Sequence, residues 1–574
     1  MEELKYPVGI QSFREIIKGG YVYVDKTWCI SLLESGKFYF LGRPRRFGKS
    51  LLLSMLHEYY EGNRELFRGL AIDSMRPEEW TPRPVFHLDL NNERYGERGS
   101  VVAIINKHLE RWEEIYGDLR KDRSISERFE WLVREAYKKT GHRVVVLIDE
   151  YDKPLTDNIL NDEIFAIHQT DLRGFYSSLK TLDPFIKLAV LTGVTKFGKV
   201  SVFSGLNNLN DISLSDRFST ICGITEDELH KYFDTGVREF SAKKKMDIKA
   251  MYADLKKHYD GYHFSTECPD IYNPFSLLLT LNEQKFGDYW FSTGTSKMLV
   301  DLVIRNRINI RNLDGTKSDE SDLSDITQFG VRPVPLLYQT GYLTIKSCNP
   351  RTGRLILGYP NIEVERGFLN EFMYAYGGNS EKSSFSAEDM SELLMDGDAE
   401  GFLDRLGAFF AGIPYDLRKY HDYESYWQTV MYVLLTMLGY YTEAERHTSE
   451  SSIDLLVKTP RYIYVMELKV ADRRRRKDCR VPDENGVTDY LCEPTVPYGD
   501  PRAQEEFIKE EERFEKEDDS AEVLRVLDEA MRQIEDRCYA GAFAADGRKV
   551  IKVAAVFSAA RHRLAKSKVF QDND

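Results

Sequence analysis

The apolar run Phe38-Tyr39-Phe40-Leu41 leads into Gly42-Arg43-Pro44-Arg45-Arg46-Phe47-Gly48-Lys49-Ser50, and then into the helical pattern Leu51-Leu52-Leu53-Ser54-Met55-Leu56. A strand, a loop closing on Gly-Lys-Ser, and a helix in that order are the layout of a phosphate-binding loop. Backbone N–H groups of the loop and the helix N-terminus are both electropositive and would face the phosphates. Lys49 would reach the β- and γ-phosphates, and the Ser50 hydroxyl would ligand Mg²⁺. The spacing departs from the usual one at a single point. A glycine is expected five residues before Gly48, and that position holds Arg43. The same letters also describe an ordinary strand-to-helix turn.

A second stretch bears on the choice. Arg143-Val144-Val145-Val146-Leu147-Ile148-Asp149-Glu150 is an aliphatic, mostly β-branched run that ends in two carboxylates. Strands buried on both faces of a parallel sheet read this way. Their C-terminal ends form the mouth where such sheets bind ligands. Asp149 would hold Mg²⁺ directly or through water, and Glu150 would polarise the attacking water. Asp149 could also serve as a helix N-cap.

The chain has 574 residues, which implies two to four domains rather than one core. Hydrophobic residues make up 42 % and aromatics 12 %, so packed globular structure is expected rather than disorder. No apolar run is as long as a membrane span, and Met1-Glu2-Glu3-Leu4-Lys5 lacks the apolar core of a signal peptide. The seven cysteines include no C-x-x-C pair, so a zinc ribbon is not expected and the cytoplasm is the natural compartment. The net charge of −14 excludes indiscriminate coating of nucleic acid, so any such contact must come from local basic patches.

Between the two carboxylate-bearing stretches lies the alternating strand Arg83 to Asn91, followed by helical patterns through Tyr137. A helix from Asn161 to Lys180 leads to the strand Phe185 to Gly193. Thr192 at its end, with Thr195 just beyond, could touch the γ-phosphate; turn chemistry would place threonines there too. Ser219 to Ile224 is a candidate fifth strand. Alternating strands and helices indicate a three-layer α/β domain with a parallel sheet. Arg217 could approach phosphates from a neighbouring subunit or simply be solvated. Thr225-Glu226-Asp227-Glu228 starts a helix with a capping box. Pro335 to Ile345 reads as a helix, a glycine stop and a strand.

Ser452 to Val457, a turn at Lys458-Thr459-Pro460, and Tyr462 to Val470 form a β-hairpin pattern. Glu467 and Lys469 share one face of the second strand, and Leu468 points to the other. Asp454 lies near the start of the partner strand, so three polar groups can converge. Asp454 and Glu467 would bind Mg²⁺, and Lys469 would orient the attacking water in phosphodiester cleavage. Glu424 is a candidate further metal ligand. Taken alone, Glu-Leu-Lys also reads as a solvated strand edge. Between Val470 and Ala521 lies a polar insert, 471–520, with Arg473-Arg474-Arg475-Arg476-Lys477 followed by acidic runs. The arginine run could hold a phosphate backbone or be an exposed arm neutralised by those acids.

Tyr6-Pro7-Val8-Gly9-Ile10, Tyr23-Val24-Asp25-Lys26-Thr27, the Arg43 to Ser50 loop, Ile148-Asp149-Glu150-Tyr151-Asp152 and Thr192-Gly193-Val194-Thr195-Lys196 together resemble the AAA-ATPase-like family. Further blocks, Phe203 to Asn208, Tyr259-Asp260-Gly261-Tyr262, Tyr272-Asn273-Pro274-Phe275-Ser276 and Tyr289 to Gly294, extend the resemblance over nearly the whole chain. In that family an arginine-rich loop replaces the first glycine, and a PD-(D/E)XK nuclease-like domain usually follows. The resemblance implies a P-loop ATPase domain (1–225), a helical lid with a winged-helix-like region (226–384), and a PD-(D/E)XK nuclease-like α/β domain (385–574). Gln533 falls on the helix that often supplies a polar group in that superfamily. The expected nucleotide set is Arg45, Arg46, Gly48, Lys49, Ser50, Asp149 and Thr192. The expected metal ligands are Ser50 and Asp149 at one site and Glu424, Asp454 and Glu467 at the other. The expected cofactors are ATP and Mg²⁺. The expected partners are nucleic acid, DNA before RNA, and a second copy of the chain, with no membrane. A nucleotide-dependent switch or scaffold that binds without cleaving is the rival expectation; a loop that holds no nucleotide is a third.

Overall fold

The computed structural model describes residues 4–76, 80–91, 94–117, 122–159, 161–197, 208–291, 299–300, 302–303, 310, 313–323, 333–377, 387–411, 423–439, 443–449, 452–471, 520–536, 547–558 and 563–571. These fall into two compact units, Met1–Phe368 and Leu369–Asp574.

In the first unit, β1 (Phe38–Gly42), β2 (Val85–Asp89), β3 (Val144–Asp149), β4 (Ile186–Gly193) and β5 (Asn210–Asp211) form one parallel sheet in the order β2-β3-β4-β1-β5. Every residue of β3 is buried, as its unbroken aliphatic run requires for a strand covered on both faces. Phe40, Val146, Ile148, Ala189 and Leu191 face one core with helices Ser100–Tyr116, Ile125–Thr140 and Asp162–Thr181. The alternate residues Tyr39, Leu41, Val145, Leu147 and Val190 are also buried, and helix Lys49–Tyr60 packs on the sheet through Leu52, Leu53 and Leu56. The result is the expected three-layer α/β arrangement.

The fifth strand is not where it was expected. Asn210–Asp211 pairs with β1, Tyr39 opposite Asn210. Ile224–Thr225 (β6) instead pairs antiparallel with Ile271–Tyr272 (β7) in a separate two-stranded sheet. Gly223, with φ of +87°, turns out of extended backbone and donates its N–H to the Phe47 carbonyl, which takes this segment to the loop rather than the sheet edge. The capping box at Thr225 starts helix Glu226–Lys244 as expected.

The later part of this unit holds β8 (Thr316–Ser318), β9 (Thr344–Cys348) and β10 (Leu355–Gly358) in an antiparallel sheet ordered β8-β10-β9. Helix Pro333–Thr340 precedes β9 and stops at Gly341, φ +90°. A Cβ on Gly341 would lie 2.8 Å from Pro44, so glycine lets this turn press against the loop that follows β1.

The second unit carries helices Ala387–Asp396, Ala399–Ala411 and Tyr423–Leu438 ahead of a five-stranded sheet. Its strands β11 (Glu443–Ser449), β12 (Ser452–Lys458), β13 (Tyr462–Ala471), β14 (Lys549–Ser558) and β15 (Arg563–Gln571) lie in sequence order. All neighbours are antiparallel except β13 and β14. A parallel pair needs a crossover, and helix Ser520–Asp536 supplies it. That helix buries Val523, Val526, Leu527, Ala530 and Ile534 against Val465, Ala554 and Val556. The spacing of three and four is one helical face.

Candidate active sites

The first candidate site lies at the C-terminal ends of β1, β3 and β4. Gly48 caps the loop helix with φ of +90°, and Arg46 before it also has positive φ, +66°. This left-handed turn brings the helix N-terminus under the loop. Lys49 is buried, 3 % exposed. Its Nζ donates to the carbonyls of Arg43 and Pro44, both at 3.1 Å, and lies 3.8 Å from Glu150 Oε1. Thr192 Oγ1 donates to Asp149 Oδ1 at 2.6 Å, and the Glu150 N–H donates to the same oxygen at 3.1 Å. Glu150 itself has φ of +52°, a strained backbone held by its surroundings. Lys49, Asp149, Glu150 and Thr192 therefore meet at one mouth, with Ser50 the second residue of the helix there.

Thr195 does something else. Its N–H and hydroxyl both donate to Asp152, which also accepts from the Val194 N–H. Burial first, and the Glu150 charge second, push the Asp152 carboxyl up to about 6. Asp152 thus fixes the turn after β4 on the turn after β3. Asp89, at the end of β2, pairs in register with Asp149. Its carboxyl is pushed up by burial, with the charges of Asp149 and Glu150 adding. Asp89 was not singled out from sequence; an alternating strand ending in aspartate beside the carboxylate-bearing strand was the signal.

The arginines of the loop divide their work. Arg43, 1 % exposed, turns inward: it donates to the carbonyls of Ser213 at 2.7 Å and Phe218 at 3.1 Å, and stacks 4.1 Å over Phe264. Burial lowers its proton affinity. Arg46 is exposed and lies 4.8 Å over Phe275. Arg45 is half-buried, and its carbonyl accepts the Trp290 indole N–H at 3.0 Å. Phe47 inserts between Tyr262 and Phe264, ring centroids 4.8 and 5.3 Å away. Arg217 is exposed in a short turn, Asp216–Phe218. Beside Gly48 opens an apolar cleft lined by Tyr23, Val24, Leu51, Ile221 and Leu278. Lys26 on its wall is committed to Glu228, Nζ to Oε1 2.6 Å.

Trp290 is itself held by Glu363, whose Oε1 accepts from the Trp290 N–H at 2.7 Å and from Ser276 Oγ at 2.9 Å. Oε2 has no partner among the described residues. Burial pushes this carboxyl from 4.5 up to about 8. The folded chain therefore keeps a proton that the unfolded chain releases above 4.5. The associated stability is present below that pH and is lost as pH rises through about 8. Glu363→Gln keeps the acceptor and cannot ionise. At pH 8 it is expected to be more stable than the native chain by on the order of 2 kcal/mol, with a flatter melting profile between about pH 5 and 8. Parallel profiles for the two proteins in thermal melts would refute this.

The second candidate site lies on β12, β13 and the crossover helix. Asp454 is directly opposite Glu467, and Ser452 opposite Lys469. Opposed positions of an antiparallel pair lie on the same sheet face. Glu467 and Lys469 are 3 % and 8 % exposed, and Leu468 is fully buried. Lys469 Nζ lies 3.8 Å from Glu467 Oε1 and 3.6 Å from Glu529 Oε1. Sequence reasoning named Gln533 on this helix and missed Glu529, one turn earlier. Only the docking of the helix shows which turn meets Lys469. Glu424 lies in helix Tyr423–Leu438. The side chains of Glu424 and Asp454, and the Arg473 to Lys477 run, lie outside the described part of the structure. Among the described residues no three His, Cys, Asp or Glu form a metal-binding group. The oxygen-only acids of both sites suit a hard divalent cation, and the first site adds a hydroxyl and a lysine suited to a triphosphate.

A parallel sheet ordered β2-β3-β4-β1-β5 with a Lys-bearing loop after β1 defines a P-loop ATPase-like fold; a three-stranded meander whose last strand bears Glu-x-Lys, followed by a crossover helix and a parallel strand, defines a nuclease-superfamily fold. The family described as predicted AAA-ATPase matches residues 7–203, and the PD-(D/E)XK nuclease superfamily matches residues 422–566. The chain belongs to the AAA-ATPase-like family and carries a C-terminal PD-(D/E)XK nuclease superfamily domain. A protein of Azotobacter chroococcum mcd 1, described as an uncharacterized protein in the vnfD 5′ region, is 37 % identical over 481 residues, covering 82 % of this chain and 90 % of that relative. Among the described residues no helix is long and apolar enough to cross a membrane.

Proposed function

We propose that the first unit binds and hydrolyses ATP and that the second is a Mg²⁺-dependent nuclease, acting on DNA in preference to RNA in the cytoplasm. The observation that carries the reading is the meeting of Lys49, Glu150, Asp149 and Thr192 at one sheet mouth. Lys49 leaves its loop carbonyls for the β- and γ-phosphates, and Arg45 and Arg46 add charge from the loop. Gly48 and the helix N-terminus present N–H groups to the same oxygens. The cleft beside Gly48 takes the base. Its apolar lining, with Lys26 already paired, suits adenine, which needs no carboxylate to read it. Ser50 and Asp149 would hold Mg²⁺, which supplies charge neutralisation at the transferring phosphate. Glu150 orients the attacking water, and Thr192 holds Asp149 in place.

In the second unit Asp454 and Glu467, with Glu424, would hold the cation, and Lys469 stabilises charge on the cleaved phosphodiester. The basic run Arg473 to Lys477 would grip the backbone. A homo-oligomer, with Arg217 reaching a neighbour's phosphates, and a setting in defence or mobile-element control fit such a pairing.

The test is cleavage of DNA and RNA with Mg²⁺ or Mn²⁺, with and without ATP, by the native chain, Asp454→Ala and Lys469→Ala. Loss of about 100-fold or more in both variants is expected. Equal cleavage by all three removes the nuclease reading. ATP binding without any cleavage leaves the rival, a nucleotide-dependent switch or scaffold whose second unit only binds.

A further inference from the structure

We propose that Glu529 is a positioning residue of the nuclease centre, holding the Lys469 ammonium in place once Glu467 is committed to the metal ion; this rests on the nuclease reading above. Lys469 carries its charge on a flexible four-carbon stem, which must be fixed to act at one phosphate oxygen. Two carboxylates now straddle it, Glu467 at 3.8 Å from its own strand and Glu529 at 3.6 Å from the crossover helix. Its cross-strand neighbours are Ser452 on β12 and Val556 on β14, neither of which carries charge. When Glu467 turns its oxygens to a cation, Glu529 is, among the described residues, the carboxylate left to hold the ammonium.

The helix makes Glu529 fit for this. Val526, Leu527 and Ala530 on either side of it are packed into the core, so its backbone is anchored on the sheet. One turn back, Arg525 reaches the other Glu529 oxygen at 3.5 Å and is itself tied to Glu522 at 2.7 Å. Both oxygens of Glu529 thus face cationic side chains. A metal ligand would be expected to leave one free for the ion.

The test is a double-mutant cycle with Glu529→Gln, Lys469→Ala and the double variant, measuring kcat, KM and Mn²⁺ affinity by calorimetry. Glu529→Gln is expected to lower kcat about 10-fold while KM and Mn²⁺ affinity stay within about twofold. In the Lys469→Ala background it is expected to have no further effect, because its action runs through that lysine. Additive losses, or a fall in Mn²⁺ affinity of about 10-fold, would overturn the positioning role. A native chain that cleaves while Glu529→Gln cleaves equally well defeats this inference alone. A native chain that cleaves nothing defeats the nuclease reading and this inference with it.

Discussion

Lys49→Ala is expected to lose ATP affinity by at least about 100-fold, or about 2.8 kcal/mol, with the melting temperature of the first unit changed far less. The ammonium is the one buried cation of the loop placed for a phosphate. Arg43 is buried too, but is spent on the carbonyls of Ser213 and Phe218. Without nucleotide, Lys49 donates to two backbone carbonyls of the loop and faces Glu150. Neutral acceptors hold an ammonium less strongly than a triphosphate does, so binding exchanges weak partners for strong ones. Calorimetry with ATP, alongside a thermal melt, separates the loss of binding from unfolding. Native-like affinity in Lys49→Ala would mean that this loop holds no nucleotide.

Gly193→Ala is expected to destabilise the first unit by about 2–3 kcal/mol and to lower its melting transition by several degrees. A Cβ at this position would stand 2.4 Å from Asp152 Oδ1 and 2.6 Å from Tyr151 Cδ1. Neither neighbour has room to move. Asp152 is held by the N–H groups of Val194 and Thr195 and by the Thr195 hydroxyl. Tyr151 is fully buried and donates its hydroxyl to the Thr195 carbonyl at 2.8 Å. Relief must come from parting β4 from the turn after β3, which pulls Thr192 from Asp149 and slows ATP hydrolysis. Gly174→Ala is the control, since a Cβ there meets nothing within 4 Å. An unchanged melt for Gly193→Ala would show that the two turns are not locked as described.

How much of this was legible beforehand follows from the range of each interaction. The Gly48-Lys49-Ser50 turn, the aliphatic β3 ending in Asp149 and the Ser452 to Val470 hairpin are local patterns, so periodicity and turn chemistry disclosed them. The hairpin pattern brought Asp454 near Glu467 and Lys469; that Asp454 stands directly opposite Glu467 is shown by the strand register. Trp290 was beyond reach: its indole meets the Arg45 carbonyl across 245 residues, and no short motif marks such a contact. Glu529 failed for a related reason. The turn that meets Lys469 depends on how the helix slides along the sheet, which no local pattern states. The Ser219 to Ile224 segment misled because two short apolar-bounded stretches competed for the sheet edge. The one ending in Gly223 was drawn to Phe47 instead.

The most direct test of two metal-centred phosphate sites on one chain is an anomalous difference map from crystals grown with Mn²⁺ and a non-hydrolysable ATP analogue. Two Mn²⁺ peaks are expected, one touching Ser50 and Asp149 beside the triphosphate, the other between Asp454 and Glu467. A bound analogue elsewhere than over Lys49, or the absence of manganese from both carboxylate sets, would contradict the account.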